Sequence, residues 1–386
     1  MKERDCLVFP FSEYEKRVEA LRTRMQERRF DCVIISDPSN LLYLTGYQTT
    51  GYTYFQALIV PIDGEPIMIT RGMEESNVYA RTWVEKTKTY EDTGDAIQLV
   101  VNTLKDMKSY NGRVGFERNS YFFPAYQQDR LLHAFRNKKA YDCYGIVEDG
   151  RVCKSKCEIE ILKKAALATE AGMKAGIEAV KAGVTEDEIA AEICHEMFSK
   201  GGHYPAVLPY VTSGPRTMIG HATWEGRKVK EKEHVFLEVG GCFQRYHTAM
   251  MRTVVLGELT DSFRDAEKTI KYALDEVHTH FGPGLTVSNA HKIVKDVLSR
   301  NNCGGELITR AGYSIGVAFP PSWDEGSLIS LKPGDKRELK EGMVFHVIPW
   351  LWGIDGDKTV GTSDTIYITE DGCKSFFSLE ENFFVK

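Results

Sequence analysis

Phe236-Leu-Glu-Val-Gly-Gly-Cys-Phe-Gln-Arg-Tyr-His-Thr-Ala-Met-Met-Arg-Thr253 is the stretch whose reading decides the fold. Two apolar runs flank the polar pair Gln244-Arg245, a pattern that predicts a β-hairpin. Side chains alternate faces along a strand, so Phe236, Glu238 and Gly240 share a face of the first arm. His247 and Ala249 share a face of the second.

Working outward, the 386 residues with 42% hydrophobic content bury a full core and are expected to form two domains. A net charge of -6 and no basic stripe argue against a nucleic-acid partner. No apolar run approaches the roughly 18 residues of a membrane span. The first 15 residues are charged and carry no signal-peptide core. Nine cysteines at irregular spacing then imply reduced thiols and a cytoplasmic location. Cys242, inside the hairpin, reads as a small buried hydrophobe, because the sequence sets no base beside it.

Residues 12–28 carry Val18, Leu21 and Met25 at helical spacing and predict an amphipathic helix. Residues 32–36 read as a strand closed by a turn at Asp37-Pro38-Ser39, and residues 40–55 as an approach to an aromatic loop with Tyr47, Tyr52, Tyr54 and Phe55. Strands follow at 57–61, 66–70 and 113–116, with helices near 73–80 and 96–107. This alternation predicts a small α/β domain, drawn at residues 1–148. From Lys156 a long helix is expected to reach Ala182, with Gly172 and Gly176 allowing close approach of another element. Thr185 and Glu188 have the spacing of a capping box for the next helix. Ala182-Gly-Val-Thr185 before a helix is echoed by Pro283-Gly-Leu-Thr286 before another. Two such units predict a pseudo-twofold α+β domain over residues 149–386, helices outside and hairpins meeting in the middle.

The hairpin, the link Arg151-Val-Cys-Lys154-Ser155-Lys-Cys-Glu158-Ile159 and the Gly312-Tyr-Ser-Ile-Gly316 stretch together resemble the pita-bread superfamily of methionine aminopeptidase, prolidase and creatinase. The resemblance implies a creatinase/prolidase-like N-terminal domain and a pita-bread catalytic domain. The metallopeptidases of this fold hold two metals with two Asp, one His and two Glu. Carried over position by position, those ligands fall on Glu238, Ala249, Tyr313, Ile348 and Ser363. Alanine and isoleucine offer no donor, and tyrosine and serine are poor ligands, so no metal and no cofactor is expected. His203, His221, His247 and His346 lack the close spacing of a rebuilt metal site. Met251 and Ile348 replace the glutamates with which creatinases hold a guanidinium.

The resemblance is strongest to the metal-free ectoine hydrolases. It runs through Asp37-Pro-Ser-Asn40, Leu44-Thr-Gly46-Tyr47, Tyr204-Pro-Ala206, Glu238 to Cys242, Pro320-Pro321 with Trp323, Leu331-Lys-Pro-Gly-Asp335, and Phe345-His346 with Leu351-Trp352. It implies opening of a cyclic amidine ring to N-acetyl-diaminobutyrate on a small zwitterionic or cationic substrate. Glu238, the one acid left among the five positions, is the candidate to attack the amidine carbon or align a water. A structural glutamate satisfied by Arg252 or a backbone amide is the competing reading. His221 and His247 are the candidate proton carriers. Tyr52, Tyr313, Trp323, Trp352, His346 and Arg310 are the candidate substrate contacts, with Trp224, Tyr54 and Arg216 as further options. In relatives one protomer's N-terminal domain reaches its partner's site, which implies a homodimer with Tyr52 acting in cis or in trans. A creatinase-like or other small-amidine hydrolase, and a non-catalytic binding protein on the same fold, are the alternatives.

Overall fold

The computed structural model describes residues 1–135 and 140–386. The chain divides into two compact units, Met1–Arg151 and Val152–Lys386.

Among the described residues, the N-terminal unit holds one sheet of β1 (Cys32–Ile35), β2 (Ala57–Pro61), β3 (Ile67–Arg71), β4 (Lys86–Tyr90), β5 (Val114–Phe116) and β6 (Ala140–Asp142). Their spatial order is β4-β3-β2-β1-β5-β6. The central pairs β1–β2 and β2–β3 run antiparallel and the outer pairs parallel. Its helices are α1 (Phe11–Glu27), α2 (Pro38–Thr45), α3 (Glu75–Arg81), α4 (Ala96–Asp106), α5 (Ala125–Ala134) and α6 (Glu148–Arg151). Helix α1 buries Tyr14, Val18, Leu21 and Met25, the stripe its spacing predicts. The expected turn at Asp37-Pro38-Ser39 is instead the start of α2. Asp37 caps it by accepting from the Ser39 N–H at 2.9 Å, and Gly46 at φ 85° closes it. Strand β4, with two lysines in its five residues, escapes the apolar pattern because it lies at the sheet edge. The unit boundary falls after Arg151. Arg151 donates to Asn40 Oδ1 at 2.6 Å, and the Tyr43 hydroxyl donates to the Gly150 carbonyl, tying α6 to the N-terminal unit.

The C-terminal unit is built on α7 (Lys156–Ala179), α8 (Glu186–Ser199), α9 (Asp261–His280) and α10 (Val287–Leu298). Helix α7 stops at Ala179, short of the expected Ala182. Ser155 and Thr185 both form complete capping boxes, with Glu158 and Glu188. Strands β7 (Tyr210–Ser213), β8 (His234–Phe243) and β9 (Tyr246–Val255) are followed by β10 (Gly312–Ser314), β11 (Ser330–Leu331) and β12 (Val344–Val347). Then come β13 (Trp350–Ile354), β14 (Lys358–Gly361), β15 (Asp364–Ile368), β16 (Cys373–Ser375) and β17 (Phe384–Val385). The sheets are ordered β17-β9-β8-β7 and β11-β10-β12-β15-β16, with β13-β14 as a separate ribbon.

The sequence echo is a structural repeat down to its hydrogen bonds. Gly183 and Gly284 have φ 88° and 87°. Their N–H groups donate to the Val229 and Leu339 carbonyls, and those residues' N–H groups donate to Val184 and Leu285. The two hairpins meet where Ala249 and Thr365 exchange bonds through the threonine hydroxyl, at 3.0 and 2.7 Å. Beneath the hairpin, α7 approaches β8 so closely that a Cβ on Gly241 would lie 2.6 Å from the Thr169 backbone nitrogen. Gly172 and Gly176 admit Met197 and Ile193 of α8 in the same way.

Candidate active site

β8 and β9 pair over their full length, with Glu238 opposite Met251, Gly240 opposite Ala249 and Cys242 opposite His247. Gln244 and Arg245 both take positive φ, as a two-residue turn of this hand requires. The tip is not a solvated polar corner. Arg245 is fully buried, stacks over Tyr204 and Phe319, and donates to the Ala318 and Tyr204 carbonyls.

The hairpin face carrying Phe236, Glu238 and Met251 forms one wall of a cavity of about 540 Å³. That volume suits a small molecule. Tyr210 stands opposite Glu238 on β7, while Arg310, Tyr313, Trp323, Ile348, Trp350 and Trp352 close the other sides. Ile219, Ile308 and His221 are exposed at the mouth.

Glu238 reaches into this cavity without a hydrogen bond or ion pair among the described residues. Burial pushes its pKa up to about 8. Arg252 does not satisfy it. That guanidinium faces away from the cavity and donates to the Met251, Ser363, Leu379 and Glu380 carbonyls. Neither partner that the structural-glutamate reading allowed, Arg252 or a backbone amide, bonds to it among the described residues.

Of the expected proton carriers, only His221 lines the cavity. Its backbone is left-handed at φ 58°, a conformation uncommon outside glycine and often kept at functional positions. His247, expected beside it, does not line the cavity. Cross-strand from Cys242, it is buried off the cavity, where its Nε2 accepts the Ala206 N–H at 2.9 Å. Burial, and then the Arg245 charge, hold its pKa well below the usual histidine range. It fixes the Tyr204–Ala206 loop to the hairpin.

Tyr313, Trp323, Arg310 and Trp352 all line the cavity as expected. Arg310 is already engaged, paired with Asp324, bonded to Ser330 and stacked over the Tyr313 ring. His346 lies behind Tyr313 and not on the wall. Its Nδ1 is 2.9 Å from the Tyr313 hydroxyl and its Nε2 2.7 Å from Ser363 Oγ. Arg216 is held by Glu186 and Glu225, and Trp224 packs against the α7–α8 core, so neither belongs to the cavity. Tyr52 is part of the N-terminal unit, where its ring packs edge-on against Phe122.

Phe236, Tyr210 and Trp350 are wall residues not singled out from the sequence. Trp350 was within reach, because Ile348, Trp350 and Trp352 recur at the spacing of one strand face. Tyr210 needs the β7–β8 register and has no local signal.

The five family ligand positions do not fit a dinuclear metal site. Ala249 and Ile348 bring no donor atom. The Tyr313 hydroxyl is taken by Trp323 and His346, and Ser363 Oγ by His346 and the Met251 N–H. Among the described residues, one group of acids and histidines is close enough to share an ion: His278, Asp364 and Glu381. It lies outside this cavity. Hydrogen bonds to Cys373 and Glu381 raise the His278 pKa to about 10, the signature of an ion cluster with a charged imidazole.

Residues 160–370 match the model of metallopeptidase family M24, and residues 17–153 that of the creatinase/prolidase N-terminal domain. The chain belongs to family M24. Over 401 aligned residues it is 30% identical to the ectoine hydrolase of Halomonas elongata, covering 98% of this chain and 99% of that protein. It is 25% identical to a Xaa-Pro dipeptidase of Pyrococcus furiosus, over 95% of this chain and 99% of that one. The solved prolidase of Thermococcus sibiricus superposes with a TM-score of 0.86 at 20% identity, covering 97% and 99% of the two chains. The fold is thus the pita-bread fold with its creatinase-type N-terminal domain, and the family and relatives mark the chain as a hydrolase. No helix among the described residues is long and apolar enough to cross a membrane.

Proposed function

We propose that this M24 member is a metal-independent hydrolase that opens the cyclic amidine of ectoine or a close analogue. The observation that carries the reading is Glu238, an acid at the cavity wall with no hydrogen-bond or ion-pair partner among the described residues. A half-buried acid in that state is poised for a cation, because an amidinium would supply a counter-charge for its carboxylate. The surrounding Trp323, Trp350, Trp352 and Phe236 offer flat apolar surfaces for a planar delocalised cation. Similarity over nearly the whole length of the Halomonas elongata ectoine hydrolase points the same way.

In this reading an entering amidinium draws Glu238 into its carboxylate form. The carboxylate attacks the amidine carbon directly, or takes a proton from a water that does so. The ring C–N bond then breaks with its electron pair going to nitrogen. His221 is the candidate to deliver the proton that nitrogen needs. In the direct route a water then attacks the same carbon and expels the Glu238 carboxylate, so one water is consumed in either route and its oxygen ends in the new acetamide of N-acetyl-diaminobutyrate. Arg310, which lines the cavity paired with Asp324, is the candidate to meet the ring carboxylate. A dipeptidase reading would need metal ligands where this chain has Ala249 and Ile348.

The test is EDTA-treated protein incubated with ectoine, with N-acetyl-diaminobutyrate followed by NMR. Product at an undiminished rate after metal removal supports the reading. Absence of both product and ectoine binding overturns it.

A further inference from the structure

Behind the cavity wall runs a line of buried hydrogen bonds, from Ser363 through His346 to Tyr313. The Met251 N–H donates to Ser363 Oγ at 2.7 Å, and Ser363 Oγ lies 2.7 Å from His346 Nε2. His346 Nδ1 lies 2.9 Å from the Tyr313 hydroxyl, which also receives the Trp323 indole N–H at 3.0 Å. The two ends of the line are fixed donors, since neither a backbone amide nor an indole N–H can accept.

The protons between those ends can be arranged in two ways. If His346 carries its proton on Nε2, it donates to Ser363. The serine hydrogen is then buried with no acceptor among the described residues, while Tyr313 spends its own hydrogen on His346 Nδ1. If the proton is on Nδ1, Ser363 donates to Nε2, His346 donates to Tyr313, and every buried group is paired. The Tyr313 hydrogen alone is left over, and Tyr313 lines the cavity. A buried unsatisfied hydroxyl costs on the order of 1–3 kcal/mol, whereas a donor facing the cavity reaches solvent or ligand. The second arrangement wins. A third, charged form is closed off. Burial first, then the Arg310 and Arg252 charges, push the His346 pKa down to about 3.

We propose that Ser363, acting through His346, fixes the polarity of the Tyr313 hydroxyl, so that Tyr313 presents its O–H to the cavity as a dedicated donor to an oxygen bound beside Glu238. Burial raises the Tyr313 pKa and the nearby Glu238 charge raises it further, so the phenol keeps its proton. With both lone-pair directions occupied, Tyr313 cannot accept from the N–H groups of an amidinium. It is therefore matched to the oxygen that arrives at the attacked carbon, a role that rests on the hydrolase reading above. Ser363 and His346 are positioning residues. They stand at or behind positions where the metallopeptidase pattern carries ligands, and here they orient one proton.

The first test needs no substrate. In the full-length protein labelled with 15N-histidine, the His346 signals are identified by their loss in His346→Gln. If that variant does not fold, they are identified by their shift in Tyr313→Phe. A neutral ring protonated on Nδ1 from pH 6 to 9 is expected. A ring protonated on Nε2 overturns the proposal, whatever the substrate proves to be. The second test uses turnover of ectoine. Tyr313→Phe is expected to lower kcat about 100-fold with KM little changed, the scale of losing one aimed donor. Ser363→Ala is expected to lower kcat about tenfold in the native background and not at all beside Tyr313→Phe, whereas Ser363→Thr keeps the hydroxyl and the rate. An undiminished Ser363→Ala loss beside Tyr313→Phe would show that Ser363 only holds the fold, and would sink the proposal. If wild-type protein neither turns over nor binds ectoine, the function proposed above fails and the tautomer alone decides this one.

Discussion

A carboxyl held at a pKa of about 8 is mostly neutral at pH 7, and a bound cation reverses that. Binding of an amidinium at pH 7 should therefore release close to one proton, and affinity should rise between pH 6 and 8. Calorimetry in buffers of different ionisation enthalpy reads the proton directly, and Glu238→Gln should abolish both the release and the turnover. The same shift acts on stability. The folded protein holds the Glu238 proton up to about pH 8, whereas the unfolded chain loses it near 4.5. Folding thus weakens as pH rises through that window, and Glu238→Gln removes the slope. Thermal melts should find the variant equal to wild type near pH 4.5. Above pH 8 it should be more stable by on the order of 1–3 kcal/mol, a figure kept low because the carboxyl meets cavity water. A variant that melts below wild type at pH 9 would mean Glu238 has a partner in the folded state. His346 and His247 slope the other way. Both are held neutral by burial, so their contribution to stability is lost as pH falls below 6.5.

At the scale of elements, the β8–β9 hairpin is held from both faces by the absence of side chains. A Cβ on Gly241 would press into the α7 backbone, 2.6 Å from Thr169 N and 2.8 Å from Ala165 O. Helix backbone cannot yield as a side-chain tip can. Gly241→Ala should lower stability by at least ~2 kcal/mol, read as a fall in Tm. On the other face, a Cβ on Gly240 would lie 2.5 Å from the Trp323 ring. Gly240→Ala should displace Trp323 from Tyr313, weakening ligand binding more than it weakens the fold. The hairpin was legible because its alternation, its turn and its glycines are local signals. Helix α2 carried equally local signals in Asp37, Pro38 and Gly46, but its eight residues are too few to display a helical period.

At the scale of the whole molecule, the family resemblance implies a homodimer in which the N-terminal domain of one protomer reaches the site of its partner. We propose this arrangement, with Tyr52 acting in trans. Light scattering should give twice the chain mass. Tyr52→Ala and Glu238→Gln should each be inactive alone. Mixed under conditions that exchange protomers, they should recover part of the activity, because one site in each hybrid is then whole. No recovery in a verified hybrid would place Tyr52 in cis or outside the site. The internal pseudo-twofold belongs to this scale too. Repeated Gly-x-Thr entries with matched positive φ at Gly183 and Gly284 set two helix–hairpin units against each other, and the cavity lies among their strands.

The sequence by itself determined the two-domain plan, the central hairpin, the internal repeat and the loss of metal donors, because each depends on residue type and short-range spacing. It also singled out Glu238, since a lone acid among four non-ligands is visible without coordinates. Only the tertiary structure decided which histidine meets the cavity. His221 and His247 are both histidines near the same strands, and one faces solvent at the mouth while the other serves a loop. Tyr210 came from cross-strand register, and the Ser363–His346–Tyr313 line from contacts between β10, β12 and the residue just before β15. Such contacts join residues 17 and 33 positions apart. The direction of a buried proton depends on every group around it, and no spacing along a chain encodes that.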